Sequence, residues 1–191
     1  MTGAGRLRSA RLELIPATAA LIRSEMRGPR FLGDALGAQV DDSWPPGDLA
    51  EVLPYFHRQL LESPHLAGWF PWYWVLRLED PVGRTSAVRS PGGVPRLVGA
   101  GGFVGPPDEG RVEIGYHVLE AHRRRGYAEE AVRALLQWGF GHPEVEEVIA
   151  EAASDNGPSI GLLVKLGFAW AGGGSEPGLV RFEARPHLRE P

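Results

Sequence analysis

No cysteine occurs in the 191 residues of the chain. That excludes a disulfide framework, a thiolate nucleophile and a thiolate metal site. Lysine is nearly absent as well: Lys165 is the only one, and the remaining basic side chains are arginine, a bias that reads as base composition rather than function. Positive charge does not predominate, since the net charge is −4, and a general nucleic-acid binder carries a basic balance. No apolar run approaches the roughly 20 residues that cross a bilayer. The N-terminal stretch RLELIPATAALIRSE is broken by charge and proline and does not read as a signal peptide. The six histidines show no metal-ligand spacing. A cytoplasmic protein with no metal, no membrane and no nucleic-acid partner is therefore expected. A hydrophobic share of 43% over this length suits one domain, residues 1–191, with a sizeable core.

Turns and periodicities divide the chain. RLELIPAT alternates and predicts a first strand ending at Pro16. Residues 17–27 predict a helix stopped by Gly28-Pro29. DDSWPPGDLAEVLPYFHRQLLES opens with turn chemistry and becomes helical, with a break or kink expected at Pro54. WYWVLRLE, residues 72–79, is aromatic and β-branched and predicts a strand. DPVGRTSAVRSPGGVP is a turn-rich connection expected to be mobile. RLVGAGGFVG and RVEIGYHV then form an antiparallel hairpin through PPDEG. Ala128, Ala131, Val132, Leu135, Leu136 and Gly139 recur at three and four residues, one apolar helical stripe. VEEVIAEAA predicts a strand. In NGPSIGLLVKLGF, Asn156 caps a helix, Pro158 suits its first turn and Gly167 the left-handed position after it. Residues 178–185 make a last strand. The order β-α-α-β-β-β-α-β-α-β-β predicts an α/β (α+β) domain, one mixed sheet with helices on both faces.

Between the strand ending at Val118 and the helix after it stands AHRRRGYAEEA. A helix start presents unpaired N–H groups and the positive end of a dipole. Gly126 and Ala128 carry almost no side chain, so an anion can approach the backbone. Arg123, Arg124 and Arg125 add charge. The arrangement suits a pyrophosphate; a solvated basic turn is the alternative reading. It is not a Walker loop, which needs lysine followed by Ser or Thr. GAGGF is not a dinucleotide fingerprint, because a turn and a strand follow it rather than a helix.

Taken together, VEIGYHVLEAHRRRGYAEEAVRALLQWGF and NGPSIGLLVKLGF resemble the GCN5-related N-acetyltransferase (GNAT) superfamily, most closely its ribosomal-protein N-terminal acetyltransferase branch. The resemblance covers roughly residues 95–170, and RLRSARLELIPAT also looks like the family's first strand. It implies a mostly antiparallel twisted sheet and acetyl-coenzyme A as cosubstrate. The family's pyrophosphate turn, (Gln/Arg)-x-x-Gly-x-(Gly/Ala), is here Arg123–Ala128. By the same resemblance Tyr116, His117 and Val118 would meet the pantetheine arm. Arg123, Arg124, Arg125, Gly126, Tyr127, Ala128 and Glu129 would surround the pyrophosphate. Asn156 and Ser159 match cofactor-contacting positions, with helix capping as their alternative.

The activity implied is acetyl transfer to a primary amine by direct attack in one ternary complex. The acceptor would be a small-molecule amine or a peptide N-terminus, and the protein a monomer or homodimer. A non-catalytic acyl-coenzyme A sensor or interaction module of the same fold is the alternative. Two carboxylates are candidate bases. Glu113 has opposite parity to Val112, Ile114 and Tyr116 in a strand expected to be central, where a carboxylate is costly without a task or partner. Glu151 matches a position used as base by some family members. An arginine ion pair for Glu113 and a solvated strand end for Glu151 are the competing readings. Many members carry an acidic tyrosine where this chain has Leu163, which leaves Ser159, Tyr116 or water to meet the departing thiolate, or the thiolate to depart unaided. The aromatic run Trp69, Phe70, Trp72, Tyr73 and Trp74 reads as core, or as a wall beside the acceptor. Asp41 and Asp42 are candidates to attract a cationic amine, or solvated turn residues.

Overall fold

The computed structural model describes residues 4–77 and 93–186. A two-residue strand β1 (Leu7–Arg8), not anticipated from the sequence, turns through Ser9–Arg11 into β2 (Leu12–Pro16). Thr18 then caps α1 (Ala19–Arg27), its hydroxyl accepting from the Leu21 N–H at 3.2 Å. Gly28, at φ 124°, ends α1 as expected, but Pro29 at once opens a second helix, α2 (Pro29–Leu36). A glycine stop followed by proline is also a helix start, because proline fits the first helical position. α3 (Gly47–Glu62) is one continuous helix through Pro54, so the break expected there does not occur. The carbonyl that Pro54 leaves without a partner is that of Ala50, on the exposed side, while Leu53, Phe56 and Leu60 anchor the other side in the core.

The strands β3 (Pro71–Leu76), β4 (Arg96–Phe103) and β5 (Arg111–Val118) follow. The connection 80–95 read as mobile lies, for residues 80–92, outside the described residues. α4 (Tyr127–Gly139), β6 (Glu147–Ala153), α5 (Gly157–Lys165), β7 (Ala169–Gly173) and β8 (Leu179–Ala184) complete the order. α5 ends as its sequence predicts: Gly167 is left-handed at φ 91°, and the Phe168 N–H returns to the Leu163 carbonyl at 3.0 Å.

All eight strands form one sheet in the order β1-β2-β3-β4-β5-β6-β8-β7. Every neighbouring pair is antiparallel except β5 and β6. Period two places alternate side chains on opposite faces. Leu12, Leu14, Trp72, Trp74 and Ile114 pack with Ala131, Val132 and Leu135 of α4 and Leu163 of α5. Ile15, Tyr73, Val75 and Leu97 pack on the other face against Ile22, Leu32, Leu53 and Phe56 of α1 to α3. The aromatic run is therefore core: Trp69, Phe70, Trp72, Tyr73 and Trp74 are all buried. Within the second core lies a carboxylate, Glu25, which accepts from the Trp44 indole at 2.7 Å and the Tyr73 hydroxyl at 2.6 Å. Burial pushes its pKa up in spite of those bonds.

One irregularity positions the site. β5 and β6 pair in parallel only from Arg111–Glu147 to Glu113–Ile149. Both strands run on, to Val118 and Ala153, without a ladder between them, while β5 stays paired to β4 on its other side. The sheet is split at its centre, and the N-termini of α4 and α5 both border the opening.

Candidate active site

The opening holds a cleft of about 530 Å³. Its walls are Tyr116, His117 and Val118 of β5, the turn residues His122, Arg123, Arg124 and Gly126, the first turn of α4 from Tyr127 to Glu129, and Asn156, Pro158, Ser159 and Leu162 at α5. Arg124 and Gly126 both have left-handed backbones, φ 59° and 79°. The first bond of α4 runs from the Glu130 N–H to the Gly126 carbonyl at 3.1 Å, and no side chain caps this helix. The amides of Tyr127, Ala128 and Glu129 thus precede the helical ladder and lack partners in it. Two arginines, a helix dipole and bare amides give this end of the cleft a positive potential and free N–H donors.

The second feature is a polar cleft of about 440 Å³ bordered by Glu113, Glu151, Ser175 and Glu176. It shares Tyr116, Asn156 and Ser159 with the first. Glu151 is fully engaged. It accepts from the Ser175 N–H and hydroxyl, the latter at 2.6 Å, and from Nε and Nη2 of Arg181 at 3.0 and 2.8 Å. The Ser175 hydroxyl, then its N–H and the Arg181 cation, hold its pKa low against partial burial. Glu113 is exposed on one side, yet its pKa is raised, first by partial desolvation and then by the Glu151 charge, with Arg181 opposing. The pKa values of two neighbouring carboxylates are thus driven apart, Glu151 downward and Glu113 upward. A third, apolar groove of about 190 Å³ lies between α3 and the strands β4 and β5, and Tyr116 borders all three openings. The Tyr116 hydroxyl lies 2.8 Å from Ser159 Oγ; burial raises its pKa, with the Ser159 bond opposing.

The profile of the acetyltransferase (GNAT) domain matches residues 6–169. The chain belongs to the GNAT acetyltransferase family. It is 33% identical over 134 residues to the uncharacterized N-acetyltransferase YjdG of Bacillus subtilis, a match covering 70% of this chain and 71% of YjdG. Among solved structures, an acetyltransferase of Agrobacterium tumefaciens superposes with a TM-score of 0.59 at 20% identity, over 97% of this chain and 96% of that one. RimL, a ribosomal L7/L12 alpha-N-protein acetyltransferase in complex with coenzyme A, superposes with a TM-score of 0.59 at 14% identity, over 95% and 98%. At these identities the structures speak for the fold. The protein is accordingly a GNAT acyltransferase.

Within this GNAT domain the residues singled out in the sequence fall as follows. Tyr116, His117, Val118, Arg123, Arg124, Gly126, Tyr127, Ala128, Glu129, Asn156 and Ser159 line one cleft; Arg125 is not among its walls. Arg123 turns its Nε back to the Val118 carbonyl at 3.1 Å. Glu129 lies between Lys165 at 2.6 Å and Arg133 at 3.3 Å. Asn156 does cap α5, accepting from the Ser159 N–H at 3.2 Å. Leu163 is fully buried in the core, and Leu162 supplies the α5 wall instead. The arginine ion pair read as an alternative for Glu113 is found at Glu151, which is 9% exposed and not a solvated strand end. Asp41 accepts from Ser43 and faces a separate hollow beside His122. Among the described residues no group of three or more His, Asp or Glu is arranged for a metal, and no helix is long and apolar enough to cross a membrane.

One functional element is absent from the sequence reading. Arg11, in the turn before β2, donates Nε to Glu130 at 2.7 Å and Nη1 to the Arg125 carbonyl at 2.9 Å, and lies 4.7 Å over the Tyr127 ring. Glu130 also accepts from the Arg11 N–H and the Ser9 hydroxyl. Burial works against the Glu130 charge, but these bonds together hold its pKa low. The clamp ties the turn before α4 to the sheet. Nothing local in the sequence signals it, since its halves stand 119 residues apart.

Proposed function

We propose that the protein transfers the acetyl group of acetyl-coenzyme A to a primary amine by direct attack in a ternary complex. The observation that carries this reading is the split between β5 and β6. It joins the bare amides opening α4 to the Glu113 carboxylate through the residues the two clefts share, Tyr116, Asn156 and Ser159. The residues present fit the cosubstrate: Gly126 to Glu129 offer amides for its diphosphate, with Arg123 and Arg124 beside them. The unpaired edge of β5 offers main-chain groups to an extended arm.

An alkylamine has a pKa near 10 and must lose a proton before it attacks (about 10.4 for lysine). Glu113 accepts that proton, directly or through a water. Its raised pKa brings it nearer the operating pH, and Glu151, locked by Arg181, keeps it there. Attack forms the N–C bond and breaks the C–S bond, releasing a thiolate. Tyr116 holds its own proton more tightly than a thiol does (about 10 against about 8.5 before any shift). It therefore serves as a hydrogen-bond donor to the developing thiolate, with Ser159 fixing its hydroxyl, while water supplies the proton. No covalent enzyme intermediate arises, which agrees with the absence of cysteine.

The test is release of free thiol from acetyl-coenzyme A in the presence of a library of amines and N-terminal peptides. It is paired with calorimetric titration of coenzyme A. Amine-dependent release supports the reading. Binding of coenzyme A with no release from any amine leaves a sensor of the same fold, and no binding at all removes both.

A further inference from the structure

Glu113, Gly115 and His117 succeed one another on the face of β5 turned away from α4 and α5. Gly115 borders both the acidic cleft and the apolar groove. A Cβ placed on Gly101 or Gly102 would strike neighbours at 2.6 and 2.7 Å, so packing demands glycine there. A Cβ on Gly115 would meet nothing within 4 Å, and its φ lies outside the left-handed region. A strand at that point would accept, and by propensity favour, a β-branched residue. The bare backbone at Gly115 instead leaves a clear path from the carboxylates into the groove.

The groove is walled by Leu49, Val52 and Phe56 of α3 and by Phe103 and Val104 at the end of β4, and no Asp, Glu, Lys or Arg lines it. Val52 and Val104 remain 39% and 46% exposed at its rim. At the other end of the path, Glu113, Glu151 and Glu176 outnumber the Arg181 cation. An ammonium is drawn to the acidic end, whereas a polar or charged group carried into the groove would lose water and meet mostly apolar walls, with His117 and Tyr116 the polar side chains on its β5 side.

We propose that the acceptor is a primary amine bearing a large apolar group on the carbon next to nitrogen. The amine lies at Glu113 and the apolar group crosses Gly115 into the groove beneath α3. This assignment rests on the N-acetyl transfer proposed above. The same chemistry is offered by a peptide whose first residue is Leu or Phe and by a small arylalkylamine.

The experiment compares peptides identical but for a first residue of Leu, Phe, Ser or Asp, together with phenethylamine and ethanolamine. It uses thiol release, and calorimetric binding of each acceptor to protein saturated with coenzyme A. Leu and Phe peptides should exceed Ser and Asp peptides in kcat/KM by about tenfold or more, the discrimination an apolar pocket gives for a few carbons. Phenethylamine should likewise exceed ethanolamine, and its rank against the Leu peptide separates the two sources. Gly115→Val should lower both kcat/KM and acceptor affinity for the apolar amines by about tenfold or more, with coenzyme A affinity unchanged. Val52→Asp, on the exposed rim of α3, should do the same to a smaller extent. Polar and apolar acceptors turned over equally, or apolar acceptors indifferent to both variants, would overturn the subsite and leave N-acetyl transfer standing. No thiol release from any amine would overturn the transfer and the subsite with it.

Discussion

The two sides of the split sheet are built on different principles. On the α4 side the cleft is made of backbone: left-handed turns, bare amides and two small residues in one stretch of chain. On the α3 side the site is made of side chains brought together from β5, β6, the β7–β8 connection and α3. The first kind of site tolerates few sequences and therefore leaves a spacing in the chain. The second can be assembled in many ways and leaves none. This is why the end proposed for the diphosphate is readable while the end proposed for the acceptor needs coordinates.

The comparison breaks most sharply at Gly126. Gly126→Glu forces a side chain onto a left-handed residue, about 1–2 kcal/mol of strain, and sets an anion where an anion should bind. Coenzyme A affinity should fall about a hundredfold or more, read by calorimetry, with circular dichroism confirming the fold. Retained affinity would separate the turn from the ligand.

Glu113→Gln should do the converse. Turnover should fall about a hundredfold, the usual contribution of a general base, with coenzyme A affinity nearly intact. In the parent protein kcat/KM for the amine should drop as pH falls through the raised Glu113 pKa, above the ordinary 4.5. The variant should lack that limb; a full pH profile matching the parent's would remove Glu113 from the chemistry.

Arg11→Ala touches no substrate and sharpens the distinction between building the turn and being the turn. Loss of the clamp should raise KM for acetyl-coenzyme A roughly fivefold to tenfold, as expected for losing a partly exposed charged hydrogen bond, with kcat little changed. Arg11→Lys should restore part of the deficit, and a cycle with Glu130→Gln should be non-additive. Equal damage to kcat would assign Arg11 a different role.

The smallest effect is expected at Glu151. Glu151→Gln removes the charge that raises the Glu113 pKa and frees Arg181 to lower it, so the acid limb of the rate profile should move to lower pH. Stability responds separately. A carboxylate whose folded pKa is depressed contributes stability at pH above its ordinary 4.5 and loses it as pH falls through the depressed value. Acid unfolding of the variant should lack that component.

Much of the framework is legible because local chemistry and tertiary packing agree. The stripe from Ala128 to Gly139 is α4, the alternation in RLELIP is β2, and Asn156 and Gly167 bound α5. Errors arise where one signal has two meanings. Gly28-Pro29 stops one helix and starts another, and Pro54 loses a bond that solvent can replace on an exposed face. The site divides in the same way. The turn at Arg123–Ala128 is contiguous and was visible, whereas the arginine that pairs with Glu151 stands 30 residues further along the chain. Parity alone could identify Glu113 as a carboxylate needing an explanation; it could not show that its neighbour takes the cation.

Only three residue pairs join β5 to β6, fewer than join β5 to β4 or β6 to β8, so the middle of the sheet is a weak seam. A guest lying along the unstitched edges would act as a borrowed strand, so filling the gap and reinforcing the fold become one event. Cellular supply of that guest would then govern how long each copy of the protein survives, as well as how fast it works.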